Sequence, residues 1–265
     1  MLRPQIPSPM LNGLGRHLMY QVTPRHAALI IEHMQNDVVH PDGAFCQSDY
    51  RYLVPRINAL LSHPGFALRV ATIASPPDDH CIMAHNHPGK CQGHHIEHQC
   101  PVKGKNKAPV KQHLLGKYLQ KGSWGHKFID GLDKKKVDIT YEKMTNPKVV
   151  NFSCFSDNHG NPIRHLPGDC ASHDMQSELE KRDITDVFVL GLGGDHCVAE
   201  TARDAVKMGY ASHVVEDCLA FHDANKNDWA IVRPDLIANG VKLVKSDGPE
   251  IELLRHSAAT GSSKQ

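Results

Sequence analysis

Short apolar runs alternate along this chain with stretches that suit helices, and this alternation is the strongest constraint on its fold. We predict strands over residues 27–33, 67–75, 137–144, 186–194, 211–218 and 241–245, and helices over residues 49–62, 173–183, 195–209 and 228–239. Helical spacing is clearest along one face of the stretch 195–209, formed by Val198, Ala202, Ala205 and Met208. Strands and helices that alternate at these lengths form right-handed βαβ units and a sheet covered on both faces. The sequence therefore predicts an α/β fold, a three-layer α/β/α sandwich with a mostly parallel sheet of roughly six strands.

One large domain accounts for most of the chain. We place it at residues 27–248, between an irregular leader over residues 1–26 and a solvated tail over residues 249–265. Residues 76–122 interrupt the alternation with many histidines, cysteines and lysines. We interpret this segment as an inserted lobe near the active-site end of the sheet, with its lysines on a solvated face.

Composition excludes several classes of function. Thirty basic residues against 29 acidic ones leave a formal net charge of +1, whereas nucleic-acid binders carry a basic excess. No apolar run approaches the ~18 residues that span a bilayer. The eight cysteines are scattered, and we see no secretory signal before them. We therefore expect reduced thiols in a cytoplasmic protein that binds neither nucleic acid nor membrane.

Candidate catalytic groups follow three of the predicted strands. Cys197 comes directly after the strand that ends in Gly193 and Gly194, in the first turn of the next helix. Unpaired N–H groups and the helix dipole at such a place lower a cysteine pKa. Lys143 and His33 end two further strands, which would bring a cation and a proton acceptor to the same edge. Spacing alone leaves open that Cys197 is a small buried core residue.

Four segments carry a family resemblance. They are ALIIEHMQNDV at residues 28–38, HCIMAHNH at 80–87, YEKMTNPKVVNF at 141–152 and GLGGDHCVAETARDAVKMGY at 191–210. In this order they resemble the motifs of the cysteine hydrolase family that includes nicotinamidases and isochorismatases. The resemblance implies an isochorismatase-like fold and a nicotinamidase-like amidohydrolase of the NAD salvage pathway. Such an enzyme converts nicotinamide to nicotinate and ammonia through a thioester on cysteine.

Carried over residue by residue, the resemblance makes Cys197 the nucleophile and Lys143 its electrostatic partner, with an oxyanion hole at the N–H groups of Cys197 and Gly193. The family's general base is an aspartate, but His33 occupies that position. Glu32 is adjacent, yet successive side chains of a strand point to opposite faces, so we do not expect it to replace the aspartate. We hypothesise that His33 itself accepts the thiol proton.

Substrate-contacting positions also depart from the family pattern. His196 stands before the nucleophile, where the family has an aromatic residue, and Val38 replaces a common phenylalanine. We therefore expect a weaker clamp on a flat pyridine ring.

The family's metal site departs further. Nicotinamidases hold a divalent ion through an Asp-x-His tripeptide, which aligns with Ala74, Ser75 and Pro76, and neither end of this tripeptide is a ligand. If zinc binds, His80, His85 and His87 are our candidate ligands. The lobe offers further ligand types in an order that matches no standard zinc finger, at Cys91, His94, His95, His98 and Cys100. We favour a polar loop for this segment.

Two alternatives to a nicotinamidase-like enzyme remain open at this point. One is a metal-independent isochorismatase-like hydrolase of another substrate. The other is a catalytically impaired family member that acts as a binding module. The partner that we expect is a small-molecule amide substrate, and the family resemblance implies a homo-oligomer.

Overall fold

Two sheets account for the strands of the computed structural model, which describes residues 26–105, 107–222 and 227–254. The strands are β1 (Ala27–Glu32), β2 (Leu68–Ala74), β3 (His95–His98), β4 (Val110–His113), β5 (Ile139–Lys143), β6 (Asp186–Leu192), β7 (Ala211–Ala220) and β8 (Lys242–Val244). Six of them form the main sheet in the order β5-β2-β1-β6-β7-β8, and each of its pairings is parallel. Every predicted strand is present, with ends that differ by at most two residues.

Helices cover both faces of the main sheet. The α-helices are α1 (Asn36–Val39), α2 (Val54–Leu61), α3 (Met175–Glu180), α4 (Cys197–Lys207) and α5 (Asn227–Ala238), and the short 3₁₀ helices are Arg51–Leu53, Ala84–Asn86, Lys134–Lys136 and Ile163–His165. One apolar core lies between α2 and the sheet, and a second lies between the sheet and α3, α4 and α5. This arrangement confirms the predicted three-layer α/β/α sandwich.

The central strands are apolar because both of their faces are covered. Every residue of β1 and β6 is buried, which explains why these strands read as continuous apolar runs and do not alternate. On α4 the predicted apolar face is the buried one, formed by Val198, Ala202 and Ala205. No helix within the described ranges is both long enough and apolar enough to cross a bilayer.

The lobe at residues 76–122 contains the antiparallel hairpin β3–β4, which we did not predict. Val110, Lys111 and His113 of this hairpin line a cavity at the end of the sheet. At the other end of the chain, Ile251 and Leu254 lie in the expected tail 249–265 but are buried against the α2 side of the sheet. The leader up to residue 25 and the tail beyond residue 254 lie outside the described residues.

Candidate active site

A cavity of about 590 Å³ opens at the carboxyl ends of the parallel strands. Ala74 at the end of β2, His33 just after β1 and Leu192 at the end of β6 line its floor. The turn between β6 and α4 adds His196 and Cys197. Ligands of open α/β sheets bind outside the carboxyl ends of the strands, so this cavity is the candidate active site.

A tight turn holds Cys197 at the cavity as the first residue of α4. Gly193 in this turn has a φ of 83°, and a Cβ atom there would lie 2.7 Å from the Cys197 nitrogen. Only glycine fits this backbone without strain or collision. Backbone donors in the first turn of a helix lack helical carbonyl partners, so the N–H of Cys197 is a candidate oxyanion donor.

Gly193 is not free for the oxyanion role that we predicted. Its N–H donates to the carbonyl of Ala220 over 3.0 Å, because the end of β6 continues its pairing with β7. Its carbonyl accepts from the N–H groups of His196 and Val198. Gly193 therefore shapes the turn and does not supply a second oxyanion donor.

The thiol of Cys197 is neutral in the resting protein. Its residue is only 5% exposed, and this burial raises the thiol pKa to about 12, although the charge of Lys143 acts in the opposite direction. We expected a lowered pKa from the helix terminus and the lysine. That expectation is wrong in sign because removal from water disfavours the thiolate more than these charges stabilise it. A nucleophilic role for Cys197 would therefore need a proton acceptor.

Lys143 lies behind the cavity wall in an ion pair with Glu32. Its Nζ is 2.8 Å from Glu32 Oε2 and also donates to the carbonyl of Phe152, and both charged side chains are fully buried. Burial opposes both charges, yet Glu32 raises the pKa of Lys143, and Lys143 lowers the pKa of Glu32. Both groups are therefore charged at neutral pH.

The strand register explains why Glu32 reaches the lysine. Lys143 pairs with Ala74 across β5 and β2, and Ala74 shares a face with Thr72 two residues earlier. The pairing of β1 with β2 sets Glu32 level with Thr72, so Glu32 and Lys143 lie on one face. We did not expect Glu32 to replace the family's aspartate, because successive strand side chains point to opposite faces. In a regular strand Glu32 and His33 would point to opposite faces of the sheet. Lys143 lies on the same face as Glu32, so the two charged groups meet.

Three further side chains hold the Glu32 carboxylate. The hydroxyl of Thr72 donates to Oε2 over 2.6 Å, and the hydroxyl of Thr201 donates to Oε1 over 2.7 Å. The Cys154 thiol lies 3.3 Å from Oε1. The carboxylate is thus fixed by strands, by α4 and by the loop after β5.

His33 departs from the geometry of the strand that it follows. Its φ is 45°, so strand alternation ends at Glu32 and the imidazole lines the cavity. Its Nε2 is 3.5 Å from Glu32 Oε2, and its buried Nδ1 has no hydrogen-bond partner among the described residues. Burial and the charge of Lys143 lower its pKa to about 3. His33 is therefore a neutral imidazole that can accept a proton.

Aromatic and imidazole rings form the outer walls of the cavity. Phe45 and Tyr118 stack with ring centroids 4.7 Å apart, and Phe152 packs against His196 at 4.1 Å. His222 packs against Phe45 at 5.6 Å. These rings offer a flat ligand the apolar surface that we expected to be weakened. Val38 of the first motif lines the same cavity.

Comparisons with known proteins agree with this geometry. A family model described as "Isochorismatase domain" matches residues 27–244. The chain belongs to the isochorismatase family of hydrolases. The nicotinamidase of Schizosaccharomyces pombe is 25% identical over 87% of this chain and 98% of its own. A solved nicotinamidase of Acinetobacter baumanii is 27% identical, with a TM-score of 0.71 over 84% of this chain and 97% of its own. The yeast nicotinamidase structure, at 23% identity and a TM-score of 0.74 over 83% of this chain and 99% of its own, supports the fold.

This isochorismatase-family chain does not hold the metal ligands that the family resemblance implies. Ala74 and the residue two positions later, Pro76, offer no donor side chain. The candidate ligands are also not brought together: the Nε2 atoms of His80, His85 and His87 each contact a different backbone carbonyl. These three contacts hold the segment between β2 and β3 in place. The residues present therefore do not fit the family's metal.

The histidines and cysteines of the lobe are likewise dispersed. Cys91 and His94 are in contact, with Sγ 3.4 Å from Nε2, while His98 contacts His159 and Cys100 contacts Asn161. Across the described ranges, no three His, Cys, Asp or Glu side chains form a group that could hold a metal ion. The hairpin β3–β4 replaces the polar loop that we favoured.

The sequence did not predict the carboxylate and the rings that surround Cys197 and His33. We did not expect a role for Glu32, although an acidic residue at the end of an otherwise apolar buried strand indicates a buried charge with a partner. The wall residues Phe45, Tyr118, Phe152 and His222 lie in loops, three of them outside the recognised motifs, where no periodic pattern predicts their direction.

Proposed function

We propose that this chain is a cysteine-dependent, nicotinamidase-like amidohydrolase that converts nicotinamide to nicotinate and ammonia. The observation that carries the proposal is one cavity lined by both Cys197 and His33, whose buried Nδ1 has no hydrogen-bond partner within the described part of the chain. Similarity to nicotinamidases over nearly their full length supports the substrate class. Ring walls at Phe45 and Phe152 suit a flat aromatic amide.

The first half-reaction transfers the acyl group to sulfur. His33 Nδ1 takes the proton of the Cys197 thiol, and the sulfur forms a bond to the amide carbonyl carbon. The N–H of Cys197 donates to the developing oxyanion, an interaction that contributes about 3–4 kcal/mol in such sites. The carbon–nitrogen bond then breaks, and the departing amide nitrogen takes the proton from His33 to leave as ammonia.

The second half-reaction returns the enzyme to its starting state. Water gives a proton to His33 and attacks the thioester carbonyl, and the carbon–sulfur bond breaks. His33 returns a proton to the sulfur of Cys197, and nicotinic acid leaves and ionises to nicotinate. Lys143 lies behind these groups, where its charge favours the thiolate. No step passes through a metal ion, because the donor set does not fit one.

In the cell this reaction would supply nicotinate to NAD salvage. We place it in the cytoplasm on the grounds of its scattered cysteines, and in a homo-oligomer because the family resemblance implies one.

The substrate is tested by ammonia release from nicotinamide, with acetamide as an aliphatic control, before and after addition of zinc or iron. We expect release from nicotinamide that needs no added metal and exceeds release from acetamide. Release only after metal addition would contradict the metal-free mechanism. Release from neither amide would reject the nicotinamidase proposal.

A second candidate, a metal-independent hydrolase of another substrate, is favoured by the residues at the lost metal positions, Ala74 and Pro76. Thermal melting distinguishes the outcomes. Stabilisation by nicotinamide without turnover would indicate an impaired binding module. The absence of both stabilisation by nicotinamide and turnover of nicotinamide would favour the second candidate.

A further inference from the structure

The carboxylate of Glu32 lies between Lys143 and His33. Its Oε2 lies 2.8 Å from Lys143 Nζ and 3.5 Å from His33 Nε2, and Glu32 itself is fully buried. Its Oε1 accepts from the hydroxyl of Thr201. A carboxylate held in this way cannot turn toward solvent, so its direction toward the imidazole is fixed by the fold.

The two nitrogens of His33 face different surroundings. Nε2 faces the Glu32 carboxylate, whereas Nδ1 is buried without a hydrogen-bond partner among the described residues, on a ring that lines the same cavity as Cys197. A carboxylate accepts hydrogen bonds and does not donate them when ionised, so it favours the tautomer that carries its proton on Nε2. That tautomer leaves the lone pair on Nδ1 to accept a proton.

We propose that Glu32 is a positioning residue that holds His33 in its Nε2–H tautomer and directs Nδ1 toward the proton of Cys197. The inference rests on the proposed function, because it assigns the carboxylate its part in the same amide hydrolysis. Cys197, His33 and Glu32 then act as a thiol, a base and an orienting carboxylate. Glu32 also stabilises the imidazolium after proton transfer, since its charge is 3.5 Å from Nε2.

A competing explanation is that Glu32 only neutralises Lys143. The charged groups that face His33 are Glu32 and Lys143, with His222 as a further titratable neighbour. If the carboxylate served the lysine alone, its removal would leave an uncompensated positive charge near Cys197 and increase the thiolate fraction. If it orients His33, removal leaves the thiol without a base. The two explanations therefore predict opposite changes in the reactivity of Cys197.

Alkylation of Cys197 by iodoacetamide, followed by peptide mass mapping, separates them without relying on amidase activity. We expect Glu32→Gln to slow labelling of Cys197 at pH 7 about tenfold or more, because the glutamine amide can donate to Nε2 and favour the wrong tautomer. Unchanged or faster labelling would overturn the proposal. The matched control is Glu142→Gln, which removes the carboxylate of an exposed pair with Lys121 at 3.1 Å and should leave labelling unchanged.

Steady-state kinetics test whether Glu32 acts through His33. On nicotinamide, Glu32→Gln should lower kcat by about 10²-fold or more with little change in KM. Glu32→Asp, which keeps the charge, should recover part of the loss. In a His33→Ala background the same substitution should have little further effect, and a full additional loss would overturn the proposal. If the wild-type protein hydrolyses no nicotinamide, the proposed function fails, while the labelling result still decides the role of Glu32.

The tautomer itself is measurable in the unmodified protein. Long-range ¹H–¹⁵N correlation spectra of histidine side chains distinguish Nε2–H from Nδ1–H imidazoles, and the His33 signal is assigned by its loss in His33→Ala. We expect the Nε2–H form at pH 7. An Nδ1–H form would overturn the proposal even if Glu32→Gln does not fold.

Discussion

Burial sets the protonation state of Cys197 and His33, the two side chains that we propose to react. It raises the pKa of Cys197 to about 12 and lowers that of His33 to about 3, so each is neutral near pH 7. Proton transfer between them creates two charges at once in a site with little water. In the adjacent ion pair, the positive charge of Lys143 stabilises the thiolate and the negative charge of Glu32 stabilises the imidazolium. The four groups are therefore best understood as one unit.

Replacement of His33 by alanine tests the base. We expect His33→Ala to lower kcat on nicotinamide by about 10²–10⁴-fold, the range that general-base groups contribute. Iodoacetamide labelling of Cys197 at pH 7 should be lost as well. An exposed histidine, His173, provides the control, and His173→Ala should keep both properties. Unchanged labelling in His33→Ala would mean that another group accepts the proton.

The identities of Cys197, Lys143 and His33 as candidates could be read from motifs, because short patterns around them resemble a known family. Their electrostatics could not. The direction of the Cys197 pKa depends on how completely neighbouring segments exclude water, and the role of Glu32 depends on register across three strands. Neither property is local in sequence.

At the scale of elements, the turn from β6 into α4 determines where the thiol lies. Gly193 adopts a φ of 83° in contact with the backbone of Cys197, while Gly209, which follows α4, adopts a φ of 93° in open space. The two glycines therefore share a left-handed backbone and differ in crowding. A substitution at Gly209 therefore measures backbone strain alone, whereas a substitution at Gly193 adds displacement of the Cys197 thiol.

We expect Gly209→Ala to cost roughly 1–2 kcal/mol of unfolding free energy, the price of a left-handed residue with a side chain. Gly193→Ala should cost more and should also slow labelling of Cys197, because its Cβ would collide with the Cys197 nitrogen 2.7 Å away. Urea unfolding and iodoacetamide labelling measure the two effects. If Gly193→Ala and Gly209→Ala lowered the unfolding free energy equally and left Cys197 labelled at the same rate, the turn would not position the thiol.

Elements of the main sheet were predictable because burial on both faces demands continuous apolar runs. The hairpin β3–β4 was not, since six of its eight strand residues are polar and carry no alternation of apolar and polar side chains. The aromatic walls depend on loops whose course the sequence does not encode by periodicity. The framework of the site was thus predictable, but its lining was not.

At the scale of the whole molecule, several histidines are folded into the protein in neutral form. Burial lowers the pKa of His33 and His196 from 6.5 to about 3, and that of His80 to about 4. Between these values and 6.5 the unfolded chain binds protons that the folded chain does not. Stability contributed by the neutral rings is therefore complete above the unfolded pKa and is lost as the pH falls below it.

We expect the free energy of unfolding to decrease between pH 7 and pH 4.5, with each such histidine contributing up to about 1.4 kcal/mol per pH unit. Urea unfolding across this range gives the slope. His196→Phe keeps a ring against Phe152 and removes one titrating group, so it should reduce the slope of unfolding free energy against pH by the contribution of about one proton. A stability that does not change with pH in this window would contradict neutral burial of these rings.

The central claim is that Cys197 is the nucleophile of an amide hydrolysis. Its most direct measurement is the rate of ammonia release from nicotinamide by the wild-type protein and by Cys197→Ala, with Cys154→Ala as the control for loss of a neighbouring buried thiol. The account predicts that Cys197→Ala loses at least about a thousandfold in kcat while Cys154→Ala keeps measurable turnover. Turnover by Cys197→Ala within tenfold of the wild-type rate would contradict it.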